Sequence, residues 1–142
     1  MFQGEFSNSM DEKGRVSIPA PFRDTLKTHH ADGQLIITRS HDTGCLIAYP
    51  TREWKRLQLV IKDMPAKIRP HFKRTVITPS QLFSPDKQGR VLLAGELRKY
   101  AALSRSVHFA GTGETFEIWD KANWDKQLEI SLSLLQDFEL DM

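Results

Sequence analysis

The stretch Asp11-Glu12-Lys13-Gly14-Arg15-Val16-Ser17-Ile18 returns 75 residues later as Asp86-Lys87-Gln88-Gly89-Arg90-Val91-Leu92-Leu93. In each copy an aspartate, a glycine and an arginine keep the same spacing, and an aliphatic run follows at once. A glycine free to take positive φ, set between an extended lead and a strand of Val, Ile and Leu, marks a hairpin. Each copy then runs into a short helical pattern holding Phe22-Arg23 or Leu97-Arg98. The correspondence continues downstream. Leu35-Ile36-Ile37 matches Val107-His108-Phe109, and Cys45 to Tyr49 with Trp54 matches Thr115 to Trp119 with Trp124 at an offset of 70. Two like halves therefore account for most of the chain, and the fold is that of a duplicated unit.

Each half predicts the same elements. A hairpin at the Asp-to-Arg turn leads to a helix at about 20–28, where Pro21 suits the first helical position while Ala20 is a poor cap. Strands follow at about 34–39 and 45–49, repeated at about 106–110 and 115–119. In Thr115-Phe116-Glu117-Ile118-Trp119 the alternation sets Phe116 and Ile118 opposite Glu117 and Trp119. Helices then begin near Thr51 and Lys121. Trp54, Leu57 and Ile61 form an i, i+3, i+7 stripe in the first, and Trp124, Leu128, Leu132, Leu135 and Phe138 form a longer one in the second. The first part of that longer stripe, Trp124 to Leu132, is expected to face the core.

The organisation expected is a first repeat at 1–57, a Pro-containing basic linker at 58–80, a second repeat at 81–128, and a C-terminal helix with an acidic tail at 129–142. Pro65, Pro70 and Pro79 forbid one continuous helix through the linker, and Thr78-Pro79-Ser80 suggests a turn. Halves of about 60 residues bury too little surface alone, so the two repeats are expected to complete one shared β-core.

At 142 residues, a large multidomain enzyme is excluded. With 39% hydrophobic and 27% charged residues, eight Phe and three Trp, the composition is that of a folded, soluble chain. No apolar run approaches a membrane span, and a cytoplasmic location is expected. Cys45, the one cysteine, allows neither an intramolecular disulfide nor a thiolate metal cage. The net charge of +2 conceals a division along the chain. Residues 129–142 carry four acidic groups and no Lys or Arg, leaving 20 basic against 14 acidic groups in residues 1–128. A basic body of this kind suits a polyanionic partner.

The turns supply the chemistry for such a partner. An arginine beside a glycine turn projects its guanidinium from a rigid hairpin, and an aspartate four residues earlier can accept from that fork and fix its direction. An oriented fork meets guanine O6 and N7 in a bidentate contact, and a two-stranded ribbon fits the major groove. Arg15 and Arg90 are therefore the candidate base readers, Asp11 and Asp86 their orienting partners, Gly14 and Gly89 the turn formers, and Lys13 and Lys87 the phosphate contacts. The alternative from the residues alone is a structural ion pair across each turn. Duplication favours recognition, because a purely stabilising pair has no need for both loops to persist while their flanks diverge.

In order along the chain stand the opening Met-Phe-x-Gly, both Asp-x-x-x-Arg motifs, Ala48-Tyr49-Pro50 with Trp54, and Phe116-Glu117-Ile118-Trp119. On these motifs the sequence resembles the MraZ family over about residues 1–128. The resemblance implies a mainly β fold with short helices (α+β), a pseudo-twofold pair of AbrB-like swapped hairpins forming a β-barrel. It also implies a DNA-binding transcriptional regulator of the division and cell wall gene cluster, assembled as a homo-oligomeric ring and reading short G-containing repeats of double-stranded DNA in its own promoter. Gln88 in place of the Lys at position 13, and Ala94-Gly95 in place of Pro19-Ala20, indicate that the two turns contribute unequally.

Two rival functions arise from the residues. For an enzyme, His29, His30, His41, His71, His108 and Cys45 provide no established ligand series, and Gly111-Thr112-Gly113-Glu114 lacks both the P-loop lysine and the third glycine of the dinucleotide fingerprint. No catalytic residue, metal site, cofactor or small-molecule substrate is identified. A protein-interaction scaffold is the other rival, using the C-terminal stripe that ends in the acidic tail. The basic linker residues Lys67, Arg69, Lys73 and Arg74 could line a DNA path or form a solvated connector.

Overall fold

The computed structural model describes residues 1–142. The first half contains β1 (Glu5–Ser9), β2 (Arg15–Ser17), α1 (Ala20–His29), β3 (Leu35–Arg39), β4 (Leu46–Pro50) and α2 (Thr51–Lys62). The second contains β5 (Gln81–Phe83), β6 (Arg90–Leu92), α4 (Gly95–Tyr100), β7 (Ser106–Gly111), β8 (Phe116–Asp120) and α5 (Lys121–Leu135). Between them lies α3 (Arg69–Phe72), which runs directly into a π-helical turn at Lys73–Ile77. No helix is long and apolar enough to cross a membrane.

Six strands make one antiparallel sheet in the order β1-β7-β8-β4-β3-β5, while β2 and β6 pair only with each other. This is the expected two-repeat, mainly antiparallel architecture with short helices, but the barrel is not closed. The sheet ends in the unjoined edges β1 and β5, and β5 spans three residues before the chain reaches Pro85, which has no N–H to extend a ladder. The separate β2–β6 ribbon lies across this open sheet, with β1 leading into it.

One apolar cluster draws from both repeats. Phe2, Ile18, Phe22, Leu26, Leu35 and Leu46 of the first half pack with Leu93, Leu97, Phe109, Phe116 and Ile118 of the second. Phe22 and Phe116 approach to 4.7 Å between ring centroids, and Phe2 meets both edge-on. Side chains of this size dominate the burial that holds such a core together.

The duplication is visible in side-chain geometry as well as in order. Tyr49 meets Trp54 at an interplanar angle of 63°, and their counterparts Trp119 and Trp124 meet at 63° too. Trp119 lies opposite Phe116 and Ile118, as alternation predicts, yet it is also buried. The helix α5 covers that second face of β8.

The longer stripe departs from expectation. Trp124 stacks on His108, with ring centroids 4.9 Å apart, but Leu132 is 62% exposed and Leu135 is 60% exposed. Fifteen residues make a helix of about 22 Å. Only its first turns reach β7 and β8, so Leu132, Leu134 and Leu135 have little to pack against in the single chain.

Linker residue Arg69 departs from a solvated connector. Its guanidinium donates to the carbonyls of Ile61, Lys62 and Met64 and so satisfies the C-terminal end of α2.

Candidate nucleic-acid interface

Each Asp-x-x-x-Arg turn is closed by the same five hydrogen bonds. In the first, Asp11 N–H donates to the Arg15 carbonyl and Gly14 N–H donates to the Asp11 carbonyl, both at 3.0 Å. Asp11 Oδ1 accepts the backbone N–H groups of Lys13 and Arg15, and Oδ2 accepts Arg15 Nε at 2.7 Å. In the second, Asp86 N–H donates to the Arg90 carbonyl at 3.0 Å and Gly89 N–H donates to the Asp86 carbonyl at 2.9 Å, Asp86 Oδ1 accepts the backbone N–H groups of Gln88 and Arg90, and Oδ2 accepts Arg90 Nε at 3.1 Å. Gly14 at φ 92° and Gly89 at φ 76° occupy the left-handed position that closes each turn.

The aspartates are saturated by these bonds. The Arg15 N–H above all, aided by its guanidinium, holds the Asp11 carboxyl below the ordinary value of 3.8. The Arg90 N–H, with the Gln88 N–H and the Arg90 guanidinium, does the same for Asp86. From the guanidinium of its arginine each aspartate takes only the Nε. Both terminal nitrogens of Arg15 and of Arg90 remain free of protein partners, which is the end that a bidentate base contact uses.

The ribbon aligns the two forks. Val16 pairs with Val91 and both are buried, so Arg15, Ser17, Arg90 and Leu92 share the outward face. Leu92 is 56% exposed on that face. The glycines of the two tips are separated by about four strand residues, or about 13 Å, along the ribbon. Lys13 and Lys87 stand exposed at the tips, while Gln88 occupies the place of Lys13 in the second turn.

The structure therefore brings all eight sequence-predicted residues to one ribbon. It also brings two arginines that the motif reading did not single out. Arg23 of α1 donates its Nε to the Ile18 carbonyl at 3.0 Å, and Arg98 of α4 donates its Nε to the Leu93 carbonyl at 3.1 Å. The recurrence of Phe22-Arg23 as Leu97-Arg98 was the available signal. Repetition alone could not tell which turn each guanidinium approaches.

The model for the MraZ protein family, described as antitoxin-like, matches residues 1–75 and again 76–140, one match for each copy of the turn. The chain belongs to the MraZ family. A transcriptional regulator MraZ of Acidithiobacillus ferrooxidans is 38% identical over 139 residues, covering 94% of this chain and 91% of that protein. The namesake of Shewanella frigidimarina is 33% identical over 142 residues, covering 99% and 93%. That of Acidovorax sp. is 41% identical over 125 residues, covering 88% and 86%. Membership of the MraZ family makes this chain a transcriptional regulator, and the family is not enzymatic. Cys45 is buried, and burial raises its thiol to about 11.

Proposed function

We propose that this MraZ-family regulator reads short G-containing DNA repeats through the β2–β6 ribbon. The observation that carries the reading is the pair of forks on one exposed face, Arg15 and Arg90, each tied at Nε by its own aspartate and open at the other end. Arg15 and Arg90 take guanine edges, Asp11 and Asp86 hold the forks, and Lys13 and Lys87 neutralise phosphate. Gly14 and Gly89 permit the backbone that presents them.

Assembly into a homo-oligomeric ring belongs to the same proposal. The tips of one chain lie about 13 Å apart, well within a helical turn of about 34 Å, so repeats set one turn apart are taken by different chains. Linked heads then gain strength through effective concentration. The exposed stripe of Leu132, Leu135 and Phe138 supports a further chain as its cover. Targets in the division and cell wall gene cluster, the chain's own promoter included, and a cytoplasmic, nucleoid-associated location complete the proposal.

Fluorescence anisotropy tests it, with wild type and the Arg15→Ala/Arg90→Ala variant titrated onto a labelled duplex from the protein's own upstream region and onto a scrambled duplex. Titrations run at two salt concentrations after circular dichroism shows the variant folded. Selective, salt-sensitive binding that the variant loses is expected. Equal binding of both duplexes by both proteins would reduce the turns to structural ion pairs. The same α5 stripe would then favour the second reading, a protein-interaction scaffold.

A further inference from the structure

The two repeats exchange partners at the ribbon ends. Ile18 N–H, at the end of the first copy of the motif, donates to the Gly89 carbonyl at 2.8 Å, and Leu93 N–H donates to the Gly14 carbonyl at 2.9 Å. The helices that follow are carried across with them. A Cβ placed on Gly89 would meet Arg23 Cδ and Nε at 2.5 Å, and one on Gly14 would meet Arg98 Nε at 2.7 Å and Cζ at 2.9 Å. Arg23 of the first repeat therefore lies flat against the second turn, and Arg98 of the second repeat against the first.

We propose that each DNA-reading head is a composite of both repeats, in which Arg98 provides a phosphate contact for the Arg15 tip and Arg23 provides one for the Arg90 tip. This rests on the DNA-reading function proposed above and assigns each head a residue from the opposite half.

Both arginines are partly buried, each has one N–H on a backbone carbonyl, and neither has an acidic partner. Their terminal nitrogens are left without any protein acceptor. A guanidinium withdrawn from water in this way gains most from an anion that arrives with the ligand, and a phosphate oxygen accepts from a fork in the geometry that arginine offers. Arg98 also opens on a groove of about 660 Å³ beside the first turn, lined by Ser9, Asp11, Glu12, Ser104 and Arg105 among others. The carboxylate of Asp11 in that groove is already occupied by Arg15. The anchoring of Arg23 and Arg98 at Nε repeats, on a carbonyl, what the aspartates do for Arg15 and Arg90. Each tip thus has one fork held by its own turn and a second held by the other repeat.

Crossed heads predict a pattern of couplings that uncrossed heads would reverse. Wild type, the four single Arg→Ala variants and the four pairings of a tip arginine with a helix arginine are titrated onto the upstream duplex by anisotropy, over a salt series. Circular dichroism and thermal melts accompany each variant. Arg15→Ala/Arg98→Ala should bind about as Arg15→Ala does, and Arg90→Ala/Arg23→Ala about as Arg90→Ala does, because one head is lost once. Arg15→Ala/Arg23→Ala and Arg90→Ala/Arg98→Ala should each lose a contact from both heads, so that removing the helix arginine weakens the tip variant by the same factor as it weakens wild type. Arg23→Ala and Arg98→Ala should each lower the salt slope by about 1 while leaving the preference for the upstream duplex in place.

Should an alanine variant melt out, Arg23→Lys and Arg98→Lys keep the stem and charge and must show the same crossed pattern in weaker form. Coupling within a repeat, full additivity of all four pairs, or an unchanged salt slope would each overturn the crossed assignment while leaving base reading by Arg15 and Arg90 intact. Absence of selective wild-type binding would overturn both proposals together.

Discussion

The two turns share five hydrogen bonds and differ at the two positions between aspartate and glycine. Glu12-Lys13 in the first becomes Lys87-Gln88 in the second. Turn geometry is thus carried by aspartate, glycine and arginine, and the intervening pair is free to set charge. In the first turn the acidic and basic groups cancel. The second keeps an excess positive charge, while its aspartate-to-guanidinium contact is longer, 3.1 Å against 2.7 Å. Duplication has kept one scaffold and given its two copies different balances of fork rigidity and electrostatic attraction.

The sharpest way to break this comparison is to remove one reading arginine at a time. Arg15→Ala and Arg90→Ala are each expected to cost about 1–3 kcal/mol of binding per engaged head and to relax the choice of base there. Competition titrations against point-substituted duplexes check this, and a variant that loses affinity without relaxing preference would count against base reading at its tip.

Stability separates the turns by a smaller amount. A side chain at either glycine costs about 1–2 kcal/mol for the left-handed backbone alone. Gly14→Ala should be the more damaging, since its Cβ would lie 2.9 Å from the backbone carbonyl of Leu93, whereas the three atoms nearest a Gly89 Cβ all belong to the Arg23 side chain, which can swing away. Urea unfolding of both variants gives the order directly.

Helix ends give a further contrast. Asp120 caps α5 by accepting from Asn123 N–H and also accepts from Ser104 Oγ, while α2 starts after Pro50 with no side-chain cap. Asp120→Ala is expected to cost about 1 kcal/mol, read from the same unfolding curves.

Smaller still are the charge effects. Lys13→Gln should lower the salt slope by about 1 for every duplex, and Gln88→Lys should raise it by as much, with sequence preference unchanged in both.

Proton linkage sharpens the comparison at His108, which replaces the apolar Ile36 of the first repeat. It is buried beneath Trp124, with Nε2 on Glu5 at 3.0 Å and Nδ1 on Ser7 Oγ at 3.2 Å, and Lys121 and Asp125 lie nearby. Burial holds its native value below 6.5 despite Glu5, so the unfolded chain takes the proton more readily. Stability should therefore fall as pH drops from 6.5 toward that lowered value, and His108→Gln should flatten this step. The turn aspartates act at lower pH. Their stabilisation is complete above 3.8 and disappears as pH falls through their depressed native values.

Legibility followed local pattern. The strands β3, β4, β7 and β8 and the starts of α2 and α5 were readable within a residue or so, because their apolar spacing occurs twice. The strand β1 was readable only as an extended lead, since Glu5-Phe6-Ser7-Asn8-Ser9 is half polar and takes its order from β7. The π-helical turn at Lys73–Ile77 has no periodic signature. The exposed leucines of α5 satisfy the same spacing as a core stripe, so periodicity could not tell a covered face from an uncovered one. The eight turn residues were legible through spacing, but the approach of Arg23 to the opposite turn depends on how the repeats interleave. No one-dimensional pattern records that.

The pairing of β1 with β7 has a consequence for synthesis. Ser7 meets His108 across 101 intervening steps of chain, and Phe2 bridges to Gly113. A nascent chain leaving the ribosome presents its first strand long before the partner exists, and each end of the β2–β6 ribbon waits for the other half. Folding of this regulator is therefore a late event dominated by distant contacts, slow by topology and exposed to premature association of its unpaired edges.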